Sequence, residues 1–500
     1  NAFPYTIGEV SDEVLHITDG NWSGANSTTK VSVESEVAIT GVAEAYSIDI
    51  TAGSKLTLRA GAKLFVGAGG LTNTSVAQLV IESGAALLIS PAATGAAAHP
   101  FAECHLETVI RDVTADWNEN PALSDYTYDH IWQNVAIPVT SVDMSPKGQT
   151  YINKWDVVNG WLSASSLTEF PAFRGMHITA TTTAVAGDYH FDGKLVGNDN
   201  AQIVLPRDGF HLVGNSWTAP LDVNEILTQI ANEEDAADLS ACVYMYIPDN
   251  MKIGGRQYNE GTYVSVTRES LKSNSAFAEI APMTGYFVFT DGATTIDLNY
   301  EKAAWNAQMA ARELKAAARE NDKTAATIIL TAENGRTDYL SLYVSDEYSA
   351  EKDEPDAVKF MNELPNVNVY ITTSLGNLSS MATNNVDTTY VTIATNAKQN
   401  YTFTFDDLKG NDLYLTDVLT NTTVHMTADA EYAFQAEPLT TISDRFFITM
   451  KSSTATGIEN VALGQKGGIY TIFGQYVGSE CVWSELPSGL YIVNGEKKVK

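Results

Sequence analysis

Three scarcities narrow the field first. There are three cysteines in 500 residues, Cys104, Cys242 and Cys481, an odd number spread along the chain. Such a set makes no disulfide framework, so small buried thiols are their expected state. Basic residues are few: 30 Lys and Arg stand against 61 Asp and Glu, a formal net charge of −31. A surface of that sign repels phosphate backbones and anionic bilayers, so no nucleic acid is expected as a partner. Long apolar runs are missing, since none approaches the roughly 18 residues that a spanning helix needs; the chain is expected not to cross a membrane. It opens Asn1-Ala2-Phe3-Pro4, without Met or a basic-then-apolar leader, which reads as a mature form whose signal peptide has been removed.

Convergent reactive sets are also scarce. His99-Pro100-Phe101-Ala102-Glu103-Cys104-His105 is the densest group of potential ligands, but no second pair at zinc spacing accompanies it and Pro100 breaks any helical register. Ser216 is followed by Trp217 and Thr218, not by the close-packing Gly of a nucleophile elbow, and His211 nearby reads as a strand residue. The expectation is a protein that is not an enzyme and holds no metal or cofactor. The one ion left open is Ca2+, drawn to the acidic surface.

What is present is β pattern. The 44% hydrophobic and 18% charged content is that of a globular protein, and the length calls for three or four domains. Ile48, Leu56 and Leu64 recur as Leu71, Leu79 and Leu87, each pair separated by 23 residues. Strands within one unit lie about 8 residues apart, with Gly53, Gly61 and Gly84 between them. A repeat of that length holding three short strands suits one coil of a three-faced parallel β-helix, with Gly at the corners. The outward positions, Lys55, Thr57, Arg59, Lys63, Phe65, Gln78 and Val80, bring no paired acids of the kind a glycoside hydrolase uses. The aromatics after the coil, Trp117, Tyr126, Tyr128 and Trp132, are read first as its cap and second as a surface on which sugars stack.

Further along, Gln202–Leu205, Phe210–Val213, Cys242–Ile247 and Gly285–Phe289 alternate as strands, and Asp222 can cap a helix running to about Asp238. Ala-rich Glu301–Asn321 predicts a helix bridging two β domains through solvent. Eight or so short strands between 324 and 450 suit an antiparallel sandwich. Ser452–Gly457 is a small, hydroxylated linker. The expected fold is therefore mainly β. A short right-handed parallel β-helix with its cap covers 1–140 and a β-sandwich-like domain 141–300. A helical connector follows over 301–322, then a β-sandwich over 323–450, a linker over 451–457 and a small C-terminal β module over 458–500.

The last stretch carries a resemblance. Thr456-Gly457-Ile458-Glu459, then Ile469–Val477 with Gly474-Gln475, then Leu486–Gly495 with Gly489, Tyr491, Asn494 and Gly495, followed by a Lys-rich end, resembles a C-terminal sorting domain of cargo of the type IX secretion system of Bacteroidetes. Gly209–Asp222 and Ile280–Val288 are similar to elements of large modular surface proteins exported by that system, and so are stretches between Asp356 and Phe446. The resemblance implies an extracellular or outer-membrane-surface location and the secretion machinery as a partner. Asp387-Thr388-Thr389 resembles the O-glycosylation triplet of that phylum and makes Thr388 a candidate acceptor. The functional expectation is a non-enzymatic structural protein of the bacterial cell surface that self-associates into a fibre or layer. The alternative is a surface adhesin or glycan-binding protein.

Overall fold

The computed structural model describes residues 9–107, 110–112, 128–140, 142–143, 150–164, 169–180, 189–231, 239–311, 324–349, 352–410 and 412–450, and, in a second unit, 468–471, 476–479, 486, 490–493 and 496–500. It is mainly β. The leucine spacing is a hydrogen-bonding register: Leu56 pairs Leu79, Leu64 pairs Leu87 and Ile48 pairs Leu71, all in parallel. One parallel sheet runs β1 (Val14–Ile17), β2 (Lys30–Val33), β4 (Val42–Ile50), β6 (Lys63–Thr72) and β8 (Ala86–Ile89). A second runs β3 (Glu36–Ile39), β5 (Lys55–Leu58), β7 (Leu79–Ile81) and β9 (Phe101–Leu106). Leu56, Leu58, Leu64, Leu79 and Ile81 are fully buried between them, each contributing roughly 2 kcal/mol of hydrophobic stabilisation. Gly61 and Gly84 occupy successive corners at φ +79° and +78°, a conformation that other residues adopt only at a cost.

The far end of this ladder is closed. Strand Tyr189–Lys194 lies antiparallel on β9. On β8, the Leu87 N–H donates to the Thr218 carbonyl and the Thr218 hydroxyl donates to the Leu87 carbonyl. The Tyr300 hydroxyl similarly accepts from Ile89 N–H at 3.1 Å and donates to its carbonyl at 2.9 Å. The Ala-rich segment also packs here. A wide-turned helix over Glu301–Asn306 leads into an α-helix over Ala307–Ala311; Ala303 and Ala304 are buried, and Trp305 meets Phe65 edge-on. Where a solvent bridge was expected, small side chains let the helix seat on the ladder, as Lys63 Nζ donating to Gln308 shows. Residues 312–322 of that expectation lie outside the described residues.

Between the ladder and the C-terminal half the same arrangement occurs twice. Strands Gln133–Ala136, Thr150–Asp156, Gly160–Ser163 and Gly175–Ala180 form an antiparallel sheet in the order first, fourth, second, third. Gly209–Gly214, Leu239–Ile247, Thr262–Val266 and Gly285–Thr290 repeat that order. Each copy adds a two-residue ribbon, Val142–Asp143 with Glu169–Phe170 and Leu221–Asp222 with Glu279–Ile280. Each also turns into its fourth strand through a non-glycine residue at positive φ, Phe173 at 61° and Met283 at 60°. Contacts between the copies are reciprocal. Val135 bridges Thr284 while Val213 bridges Arg174, and Ala136 N–H donates to Met283 while Gly214 N–H donates to Phe173. Such exchange is what a local two-fold relation produces. The second copy carries helix Val223–Ala231, which Asp222 caps by accepting from Glu225 N–H at 2.7 Å.

Residues 324–450 join one continuous eleven-stranded sheet, not two separate ones, with a single parallel pairing, Thr337–Val344 with Gly376–Thr383. It curls until its ends meet, giving a nearly closed barrel around Ile328, Leu330, Phe403 and Phe446. Buried Asp417 holds the seam, taking hydrogen bonds from Arg445 Nη2 and from the Tyr432 hydroxyl on the opposite end of the sheet, both at 2.7 Å. In the second unit, strands Gly468–Thr471, Tyr476–Ser479, Leu490–Val493 and Glu496–Val499 make a small antiparallel sheet with Ile469 and Val493 buried.

Candidate functional site

The first copy's sheet has two unlike faces. Val135, Met176 and Ile178 point back into the ladder's core. On the other face, register places Asn134, His177, Asn153 and Ser163 in one row across four strands. Trp132 stacks on His177 with ring centroids 4.7 Å apart and planes 4° apart, and Trp161 stacks on the same imidazole at 4.3 Å. Tyr246, Gly261 and Tyr263 of the second copy and Glu363 form the opposite wall. Together they enclose a cleft of about 190 Å³.

The chemistry of this cleft is that of neutral hydrogen-bonding groups framed by aromatic rings. His177 Nδ1–H donates to Asn134 Oδ1 at 2.6 Å, which leaves Nε2 as an acceptor on the neutral ring. Burial lowers the His177 pKa to about 3, so the imidazole stays uncharged at any ordinary pH. Two buried polar atoms on the same sheet face, Asn134 Nδ2 and Thr179 Oγ1, have no hydrogen-bond partner. Glu363 is the only charged side chain among the described lining residues. Indole faces beside amide and imidazole groups can hold a ring that is apolar on its faces and hydroxylated at its edge.

Of the aromatics singled out from sequence, Trp132 is in this cleft. Trp117 and Tyr126 lie outside the described residues, and Tyr128 is described only as part of strand Tyr128–His130. His177, Trp161, Asn153, Tyr246 and Glu363 were missed. They come from separate strands and loops, and only the periodic placement of Asn153 and Trp155 on one strand face hinted at a shared surface. Thr388 is exposed, its hydroxyl donating to the Asp387 carbonyl. Tyr491 lies on strand Leu490–Val493, whereas Gly474, Gln475, Gly489, Asn494 and Gly495 fall outside the described residues.

The His99–His105 group is spread apart. Cys104 faces the ladder core, where burial pushes its thiol pKa up. His105 meets Glu103 at 2.6 Å, and His99 meets Asp199 at 3.5 Å. Ser216 is fully buried and accepts from Phe173 N–H at 2.7 Å, while His211 Nε2–H donates to the Arg207 carbonyl. Among known proteins, no family model, no curated sequence and no solved structure matches this chain.

Proposed function

We propose that the chain is a non-enzymatic structural protein of the bacterial cell surface, exported by the type IX machinery and able to associate with itself. In this reading the two parallel sheets are faces of a short right-handed β-helix. The duplicated sheets are the sandwich-like module, the curled, barrel-like sheet takes the place of the second sandwich, and the second unit is the sorting module. One observation supports it most: the joints within residues 1–450 are built like interiors. Between the duplicated sheets and the curled sheet, Thr337 N–H donates to Asn259 at 2.8 Å, Tyr263 N–H donates to Asn362 at 3.0 Å, and the Ser265 and Ser379 hydroxyls meet at 2.5 Å. Beside them the Lys359–Asp338 pair, 2.7 Å apart, is almost wholly buried, and Phe360 inserts against Tyr263 and Phe287. Modules fixed this firmly transmit load instead of hinging, which suits building material. Electron microscopy and sedimentation of the full chain over rising concentration, with and without Ca2+, test it. Ordered fibres or sheets are the expected result; dispersed monomers under every condition would overturn it.

The Trp132–His177–Trp161 cleft favours a second reading, a surface adhesin that binds neutral glycans. A glycan array supports it if binding appears and is lost in Trp132→Ala. No binding by the intact chain removes it.

A further inference from the structure

A second cleft lies where the two copies of the sheet meet, and its charge is out of keeping with the chain. Acids outnumber bases two to one, and the described arginine side chains almost all use that surplus. Arg59 pairs Glu82, Arg207 pairs Asp208, Arg256 pairs Asp406 and Asp407, Arg268 pairs Glu354, Arg336 pairs Glu260 and Arg445 pairs Asp417. Arg174 is the exception among them. Its Nη2 donates to the Val204 carbonyl at 2.6 Å, and no carboxylate of the described residues lies within ion-pair distance. It is half-buried, and burial lowers its pKa with no neighbouring acid to offset the effect. A partly buried guanidinium without a counter-charge is a ready partner for an anion.

The fold does not require this residue. In the second copy the same turn, with the same positive-φ residue before it, carries Thr284 where the first carries Arg174. Each closes the same reciprocal bridge to the other copy. The guanidinium is therefore an addition to a turn that works without it.

Around Arg174 the cleft measures about 230 Å³ and is lined by Lys154, His211, Trp155, Phe170 and Pro171, with no carboxylate among its described residues. Lys154 makes no close ion pair among the described residues, though its charge is felt by Asp156 two positions on. The rest of the lining is aromatic and apolar. We propose that this cleft binds a small organic anion. Its carboxylate or sulfate would take the planar fork of Arg174 and the ammonium of Lys154, and a ring-sized body would lie against Trp155 and Phe170. A sugar acid and an aromatic acid share that chemistry. Trp132 does not line this cleft, so Trp132→Ala is expected to leave its binding unchanged and failure of one reading does not carry the other with it.

Isothermal titration of the full chain with glucuronate, benzoate, inorganic sulfate and glucose tests the proposal. One of the two organic acids is expected to bind, and which one identifies the body. Glucose is expected to give no heat at this cleft. Arg174→Gln should weaken the organic acid roughly ten- to hundredfold, as loss of a charge-assisted pair of hydrogen bonds does, and Lys154→Gln should weaken it less. Arg174→Lys should recover only part, because a point charge replaces a fork. A thermal melt of each variant checks folding, and Lys154→Gln keeps the test open if Arg174→Gln does not fold. The His211 imidazole supplies a second readout, since its NMR titration should move upward when an anion is bound. No binding by either organic acid, equal binding by Arg174→Gln, or sulfate binding as tightly as both organic acids would each overturn the proposal.

Discussion

The two copies of the four-stranded sheet share their strand order, their ribbon and their turn, yet corresponding faces have opposite character. Register equates Asn134 with Leu212, Asn153 with Tyr244, His177 with Phe287 and Thr179 with Phe289. The apolar set is covered: Phe360 lies 4.4 Å from Phe210 and 4.7 Å from Phe287, and Tyr244 and Phe287 are fully buried. The polar set is not filled by that insertion and instead lines or adjoins a cleft. One backbone thus serves as a joint in one copy and as a candidate recognition surface in the other. The difference lies in four side chains.

The comparison can be broken most forcefully at the covered face. Phe360→Ala should cost about 3–5 kcal/mol, as emptying a buried aromatic site does. Trp132→Ala at the cleft should cost less, about 1 kcal/mol, because the indole is only partly buried. Chemical denaturation of both variants checks the contrast, and similar losses would mean that both faces are structural. The next effect is in pH. His177 stays neutral when folded, but the unfolded chain takes up its proton near the ordinary 6.5. The unfolded state therefore binds more protons below that value, and stability falls as pH drops from about 6.5 toward 3. Its share at pH 4.5 is on the order of 2–3 kcal/mol. His177→Phe, which copies Phe287, should flatten that part of the stability-against-pH curve. An unchanged slope would show that the imidazole is not the source.

Smaller effects sharpen the same equivalence. Asn134→Leu together with His177→Phe removes a hydrogen-bonded pair and an unpartnered donor at once. It should leave stability unchanged or raise it by about 1 kcal/mol, while abolishing any glycan binding seen by array. Loss of more than about 2 kcal/mol would mean that the polar row holds the first copy together. Thr284→Arg should be the mildest, within about 0.5 kcal/mol by thermal melt, because Arg174 already occupies the matching turn position.

How far the sequence revealed this depends on whether repetition was written in like residues. Leu56 and Leu79, or Leu64 and Leu87, repeat because an enclosed stack demands similar apolar volumes at each level, so the register showed directly. The paired sheets left almost no such trace. At the shared turn only Glu169 and Gly175 recur as Glu279 and Gly285, and positive φ at Phe173 and Met283 falls on residue types that do not announce it. Asn and Leu, or His and Phe, at equivalent points look unrelated because one face is filled by Phe360 and the other borders a cleft. The cleft was legible only through Trp132. Its other walls arrive from Tyr246, Tyr263 and Glu363, which only the folded chain brings near. The Ala-rich helix misled because alanine suits a solvent-exposed helix and a closely seated one equally well.

The parallel ladder lengthens its spacing along the chain. Partners are 16 residues apart between β1 and β2 and 17 between β2 and β4, then 21 and 23 along one sheet, and 19, 23 and 23 along the other. Each turn is longer than, or as long as, the one before it. The long-spaced end is sealed by Tyr189–Lys194, Thr218 and Tyr300, so among the described strands the ladder's unpaired edges, β1 and β3, sit at the short-spaced end. A 16-residue spacing does not continue a 23-residue one in register. Two copies joined through the unpaired strands would therefore meet short-spaced end to short-spaced end and stop at a pair, so an endless assembly of the kind proposed is expected to use other surfaces.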